Sequence, residues 1–272
     1  MYIKLVLNEN ANAANVLSLL SGLLTGQQTS LSGLSNIQAA PNSEMVNTVA
    51  GGWSQVYLSA TELVVTAPMR DFATLKYLRI RCVSNQLLVS GMTGWNAVTF
   101  SPINGTTETA INFTIGNWAV LKVWATNRYV VFQSIVADTM NRGLFCLEFD
   151  PVYSTAENQN FFVGDYFPCI IHPETRNLQF NVAGGMYQLL ITFLLDNQAS
   201  SGNQVLKLDT LLAVGSGVSG QYFFAGKAID IYRVSVCPKE SLMVGLTEFS
   251  VVNGSYYDGQ SSDFTNFLVQ KG

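Results

Sequence analysis

The chain contains a single histidine, His172, in the segment IIHPETRN. An imidazole there could act as a general base or a metal ligand. Base catalysis needs an orienting acid and a nucleophile, and a metal needs several further ligands. No GxSxG, HExxH, P-loop or GxGxxG motif accompanies it, and GKAID has the Gly-Lys of a P-loop without the upstream glycine or the following Ser/Thr. His172 therefore reads as a residue closing a strand before Pro173. Glu148 and Asp150 in CLEFDP alternate with Leu147 and Phe149, which puts both carboxylates on one side of a strand. Glycosidases hold two carboxylates about 5–10 Å apart across a cleft. This pair could meet the distance, but no cleft can be read from the sequence, and surface placement or pairing with Arg142 is the favoured reading. DNQASSGNQ has too few carboxylates for a calcium loop. The expectation is no catalytic site, no metal and no cofactor.

Four tryptophans, Trp53, Trp95, Trp118 and Trp124, could stack on sugar rings. Trp53 and Trp95 each follow a glycine at the start of a strand, which suits core or rim packing, the commoner use of large aromatics. Cys82, Cys146, Cys169 and Cys237 lie far apart with no CxxC spacing. Cys82 and Cys146 sit in apolar strands, so buried free thiols are expected rather than a disulfide framework. The sequons at Asn104, Asn112 and Asn253 matter only in a secreted eukaryotic protein, and the Asn-Gly in two of them reads as turn chemistry.

These residues need a scaffold, and the composition bounds it. Of 272 residues, 14 are Lys or Arg and 18 are Asp or Glu. Charged residues make up 12% and hydrophobic ones 48%, against about 25% charged in an ordinary soluble domain. Part of the surface is then neutral polar and part is covered by neighbours. A net charge of -4 argues against nucleic-acid binding, which leaves a basic footprint. VLSLLSGLLTG is too short to span a bilayer, and the start lacks the charge pattern of a signal peptide, so a protein made inside the cell is expected.

MYIKLVL alternates as a strand. In the next stretch Val16, Leu19, Leu20, Leu23 and Leu24 recur at i, i+3, i+4, i+7 and i+8, the stripe of an amphipathic helix. Asn8 to Asn12 offer caps and Gly26 ends it, predicting a helix over 12–25. Residues 27–50 are small and polar, a connecting arm. From Gly51 the period becomes two, with short strands separated by GMTG, SPINGTT, NRG and similar turns. This predicts an all-β protein: an antiparallel, jelly-roll-like β-sandwich body over 51–272 and a strand–helix–arm unit over 1–50. The helix stripe must be buried somewhere. It either anchors the body to a neighbouring subunit or folds back on its own sandwich. The hairpin VWATNRYVVFQS raises a related question. Arg128, Val130, Phe132 and Ser134 share one face and Tyr129, Val131 and Gln133 the other, so both faces are mostly apolar, where a one-layer sheet has one wet side.

The segments GGWSQVY and LVVTAPMRDFATLKYLRI, then ATNRYVVFQS, GLFCLEFDPVYSTAENQNFFVGDYFPCI, GKAIDIYRVSVCPKESL and VVNGSYYDGQSSDFTNFLV occur in an order that resembles a class of virion structural proteins of large tailed bacteriophages. The opening strand and helix look like the N-terminal unit of that class. Charged residues around the Glu-Phe strand are sparser here, which leaves tail, baseplate and capsid locations open. The resemblance implies a non-enzymatic structural protein located in the virion. It also implies many copies and other virion proteins as partners, with homo-oligomerisation and no membrane or nucleic-acid contact. The alternatives are a receptor- or glycan-binding tail protein with exposed aromatics such as Trp95 or Tyr256-Tyr257, and an envelope-degrading hydrolase using Glu148 and Asp150.

Overall fold

A computed structural model describes residues 1–28, 44–46, 52–66, 77–105, 108–116, 119–126, 129–136, 140–151, 161–164, 178–180, 188–191, 205–207, 211–215, 222–228, 231–234, 241–244, 246–254 and 265–271. β1 (Tyr2–Leu7) and α1 (Ala13–Thr25) open the chain, followed by the short β2 (Glu44–Val46). Next come β3 (Ser54–Leu58), β4 (Glu62–Thr66), β5 (Tyr77–Val83), β6 (Gln86–Asn96), β7 (Ser101–Gly105) and β8 (Thr109–Thr114). β9 (Ala119–Ala125), β10 (Tyr129–Val136) and β11 (Met140–Pro151) form a meander. β12 (Phe161–Gly164), β13 (Leu178–Phe180), β14 (Gln188–Ile191), β15 (Val205–Lys207) and β16 (Leu211–Gly215) are short. The chain closes with β17 (Tyr222–Ala228), β18 (Ile231–Val234), β19 (Ser241–Val244), β20 (Thr247–Gly254) and β21 (Thr265–Gln270).

The fold is all-β and its sheets are antiparallel, as the period-two reading predicts. An N-terminal sheet runs β3-β4-β5-β6-β7, with β8 also on β6. The largest sheet runs β14-β16-β17-β11-β10-β9-β1-β2, with β12 and β13 branching from β11. A third sheet runs β15-β18-β21-β20-β19. The single run QYFFAGKAIDIYRVSVC divides between two sheets: β17 joins the largest and β18 the third.

The helix forms where its stripe predicts. Asn12 caps it, its Oδ1 accepting from the Asn15 N–H at 3.0 Å. Gly26 ends it at φ 78, a conformation open to glycine, and donates to the Leu23 carbonyl at 3.2 Å. Val16, Leu19, Leu20, Leu23 and Leu24 are at most 4% exposed, and Leu17 and Ser21 are buried too. Their cover belongs to the same chain. The core joins this stripe to Ile3, Leu5, Leu7, Leu121, Val123, Val130 and Phe132 of the largest sheet and to Leu63, Val65, Leu78, Ile80, Leu87 and Val89 of the N-terminal sheet. Ser21 Oγ also donates to Gln55 Oε1 of β3 at 2.6 Å. β1 is an interior strand between β9 and β2 and contributes to the same core.

The hairpin question is answered by two different covers. Val130 and Phe132 face the core just described. On the opposite face Val131 stands across from Trp124, and Gln133 from Lys122, and all four are buried. Tyr2 joins them, its ring centroid 5.2 Å from that of Trp124. Lys271, just past the last strand, holds its Nζ 5.2 Å above the Tyr2 ring. At Tyr2 the second face is thus met by Lys271.

Three predicted turns are strands instead. GMTG lies within β6, and Ser101 to Gly105 of SPINGTT form β7. A Cβ on Gly94 would lie 3.2 Å from Ile103 Cβ, so this glycine lets two strands approach rather than bending the chain. Pro102 is tolerated because β7 is an edge strand. NRG lies in β11: Val136 pairs with Met140, which places the β10–β11 connection before it. The Asn-Gly pairs at Asn104 and Asn253 are likewise strand ends, with Gly254 opposite Thr265.

The β5–β6 turn holds Ser84 (φ 51) and Asn85 (φ 63) between paired Val83 and Gln86, the left-handed arrangement of a two-residue hairpin loop. A left-handed serine is unfavourable. Ser84→Gly is therefore expected to stabilise the fold by about 0.5–1 kcal/mol. In a thermal scan that is an increase of about 1–3 °C.

Candidate interaction surface

The inner residues of β4, β5 and β6 fill the core, so alternation turns Glu62, Arg79 and Arg81 to the other face. Alternation along β5 buries Leu78, Ile80 and Cys82 while leaving Tyr77, Arg79 and Arg81 partly exposed. Arg79 Nε bonds Glu62 Oε1, and its Nη1 donates to Glu108 Oε1 at 3.1 Å. Arg81 Nη2 donates to Glu108 Oε2 at 2.5 Å. Two cations and two carboxylates alternate in one network, with Arg79 and Glu62 each only 14% exposed.

Beside this network lies an aromatic cluster. The Arg79 guanidinium stands 5.9 Å from the Trp95 ring centroid. Tyr57 of β3 packs on Trp95 at 5.6 Å and on Phe100 at 5.0 Å, with rings tilted by 34° and 40°. The β6–β7 connection that carries Phe100 is held by local hydrogen bonds. Asn96 Oδ1 accepts from the Val98 and Thr99 N–H groups at 2.9 and 3.1 Å, and the Thr99 and Ser101 hydroxyls are bonded at 2.7 Å. Phe100 adopts φ 49, which for a bulky residue is an outlier. Local strain of about 1–3 kcal/mol persists where surrounding structure enforces it, and such residues cluster at functional sites. This one holds its ring half in solvent: Phe100 is 53% exposed, Val98 87% and Ile103 46%.

Among the described residues no three His, Cys, Asp or Glu stand within reach of one metal ion, and no helix is long and apolar enough to cross a membrane. Glu148 and Asp150 lie in β11 with different partners, Phe161 of β12 and Lys227 of β17. Their side chains, like that of Arg142, lie outside the described part. His172, Trp118, Cys169, Cys237 and Tyr256-Tyr257 lie outside it altogether, as does the Cys146 side chain. Gly226-Lys227-Ala228 runs inside β17 between β11 and β16, where its backbone belongs to ladders rather than to a phosphate loop. Trp53 is buried, its Nε1 donating to the Thr126 carbonyl at 2.7 Å. Trp124 is buried on the second face of β9, and Trp95 sits at the rim.

Cys82 is a buried free thiol, as expected. Burial pushes its pKa above the ordinary value of 9.0, opposed by a weaker hydrogen bond from the Asn85 backbone. The folded state then holds the proton more tightly than the unfolded one. Its contribution is complete below pH 9.0 and is lost as pH rises through the raised folded value. Peptide mapping after iodoacetamide treatment should find Cys82 unmodified in the native protein and alkylated in denaturant. Modification at the native rate of an exposed thiol would contradict this burial.

Of these residues, Trp95 was expected in the core or at a rim, and the structure leaves it partly buried. Tyr57, Val98 and Phe100 were not identified. No local signal marks a phenylalanine that takes a left-handed conformation, since glycine or asparagine is the residue that announces one.

No protein-family model matches the chain, and comparison with curated proteins finds no match.

Proposed function

We propose that the protein is a non-enzymatic structural component of a tailed-phage virion, in the tail or baseplate, that assembles through protein–protein contacts. The observation that supports assembly best is the aromatic cluster at the β6–β7 tip, where exposed Phe100 packs on the partly buried Tyr57, and Tyr57 on Trp95 beside Arg79. Tyr, Trp and Arg are the residues that dominate binding energy at protein interfaces, and an apolar tip held in place loses little entropy on docking. The virion assignment rests on the order of the segments quoted above and on the low charge content. Mass spectrometry of density-purified particles tests it: the protein should be present in fixed stoichiometry, and Trp95→Ala should reduce its incorporation. Its absence from particles would refute the reading. Tail or baseplate genes beside its own would favour a tail location, and capsid genes a head location.

The same aromatics favour one second reading, a receptor- or glycan-binding tail protein. Binding of the isolated protein to host cells or glycan arrays, with competition against particle adsorption, would establish it. Polysaccharide cleavage that disappears in Glu148→Gln would instead establish the hydrolase reading.

A further inference from the structure

We infer that the second face of the β9–β10 hairpin holds a binding site for one buried water molecule, between the Trp124 indole N–H and the Gln133 amide oxygen. Alternation turns both residues away from the core that contains Leu121, Val123, Val130 and Phe132. Trp124 is only 1% exposed and Gln133 2%. Trp124 Nε1 and Gln133 Oε1 nevertheless have no hydrogen-bond partner within the chain. The two other enclosed atoms of this kind among the described residues, Asn15 Nδ2 and Arg81 Nε, belong to residues that are partly exposed. Folded proteins satisfy buried polar groups with protein or with ordered water. An indole N–H or an amide oxygen shut away from both destabilises the fold.

Register brings the pair together. Trp124 stands opposite Val131 and Gln133 opposite Lys122, so Trp124 and Gln133 are diagonal neighbours on one face of adjacent strands. Such neighbours are rooted about 7–8 Å apart, within reach of long side chains. The chemistry of the two atoms selects the ligand. An indole nitrogen only donates and an amide oxygen only accepts, so the bridging molecule must accept one hydrogen bond and donate another. An anion would be repelled by the amide oxygen. A cation would be repelled by the indole N–H and by Lys4 and Lys122, which stand opposite each other on the same face. Enclosure excludes a larger neutral molecule: Val131 is fully buried, Lys122 is buried beside Gln133, and the Tyr2 ring packs on Trp124 beneath Lys271. Water is small and neutral, and it both donates and accepts.

The test is a high-resolution crystal structure of the full-length chain, paired with nuclear magnetic resonance of the indole N–H. One solvent peak should lie within hydrogen-bond distance of both Trp124 Nε1 and Gln133 Oε1. The Trp124 indole proton, identified by its loss in Trp124→Phe, should show a cross-peak to water. Gln133→Leu removes the acceptor with little change in volume, and should abolish both the solvent peak and the cross-peak. If that variant does not fold, the wild-type measurements decide alone. A direct bond between Nε1 and Oε1 with no solvent between them overturns the inference, as does an indole proton without a water cross-peak. Retention of peak and cross-peak in Gln133→Leu would also overturn it, because the amide oxygen would then have no part in the site.

Discussion

A chain lacking residues 1–40 should fail to unfold cooperatively, because the deletion removes part of the central core. β1 pairs along its full length with β9 and, on its other side, with β2. Ile3, Leu5, Leu7, Val16, Leu17 and Leu24 are each 0% exposed. At about 1.5–3 kcal/mol for each fully buried side chain, their loss is roughly 10 kcal/mol, comparable with the 5–15 kcal/mol that holds an entire domain folded. The truncated protein should show a broad, weak thermal transition and bind a hydrophobic dye. The milder Leu20→Ala should keep the fold while lowering stability by about 2–5 kcal/mol, read as a shifted denaturant midpoint. The opposite outcome has a clear meaning. A truncated protein that melts sharply but no longer enters particles would restore the helix as an anchor to a neighbouring subunit.

Arg79→Met should cost about 2–4 kcal/mol, the largest effect expected of a substitution outside the core. Removing one partner of a largely buried ion pair leaves the other charge without compensation. Here the guanidinium serves two carboxylates, and Glu62 is too enclosed to be rehydrated freely. The substitution also withdraws the cation from the Trp95 ring, so packing of Tyr57 and Trp95 should loosen with it. Urea denaturation of Arg79→Met, Glu62→Gln and the double variant resolves the contributions. The double variant should be more stable than the sum of the single losses implies, since it removes both members of the pair. A single-variant loss below about 0.5 kcal/mol would match the weak effect of a solvated surface pair and would contradict the burial of this network.

The sequence by itself determined the elements whose signal is local. Five apolar residues at helical spacing, an asparagine before them and a glycine after them specify α1 to within a residue, because capping and amphipathic periodicity act over a few positions. Alternation likewise defined both faces of the β9–β10 hairpin, and the apolar character of both required a second cover. The identity of that cover was a tertiary outcome. Nothing in VWATNRYVVFQS specifies that Lys271, more than a hundred residues onward, will stand over Tyr2.

Turns were less legible than strands, because glycine has two uses. In GMTG the glycine at 94 admits Ile103 of a neighbouring strand, a requirement that exists only once β6 and β7 are paired. The same dependence hid the candidate surface. Trp95 could be placed in the core or at a rim, but which residues of the second sheet face are buried, as Val64, Ser90 and Met92 are, is decided by tertiary packing. Tyr57 and Phe100 come together there from opposite ends of the sheet, and the tip conformation that exposes Phe100 is enforced by Asn96, Thr99 and Ser101. Local periodicity determined which residues share a face. Long-range packing decided which faces meet, because burial depends on what the rest of the chain places opposite.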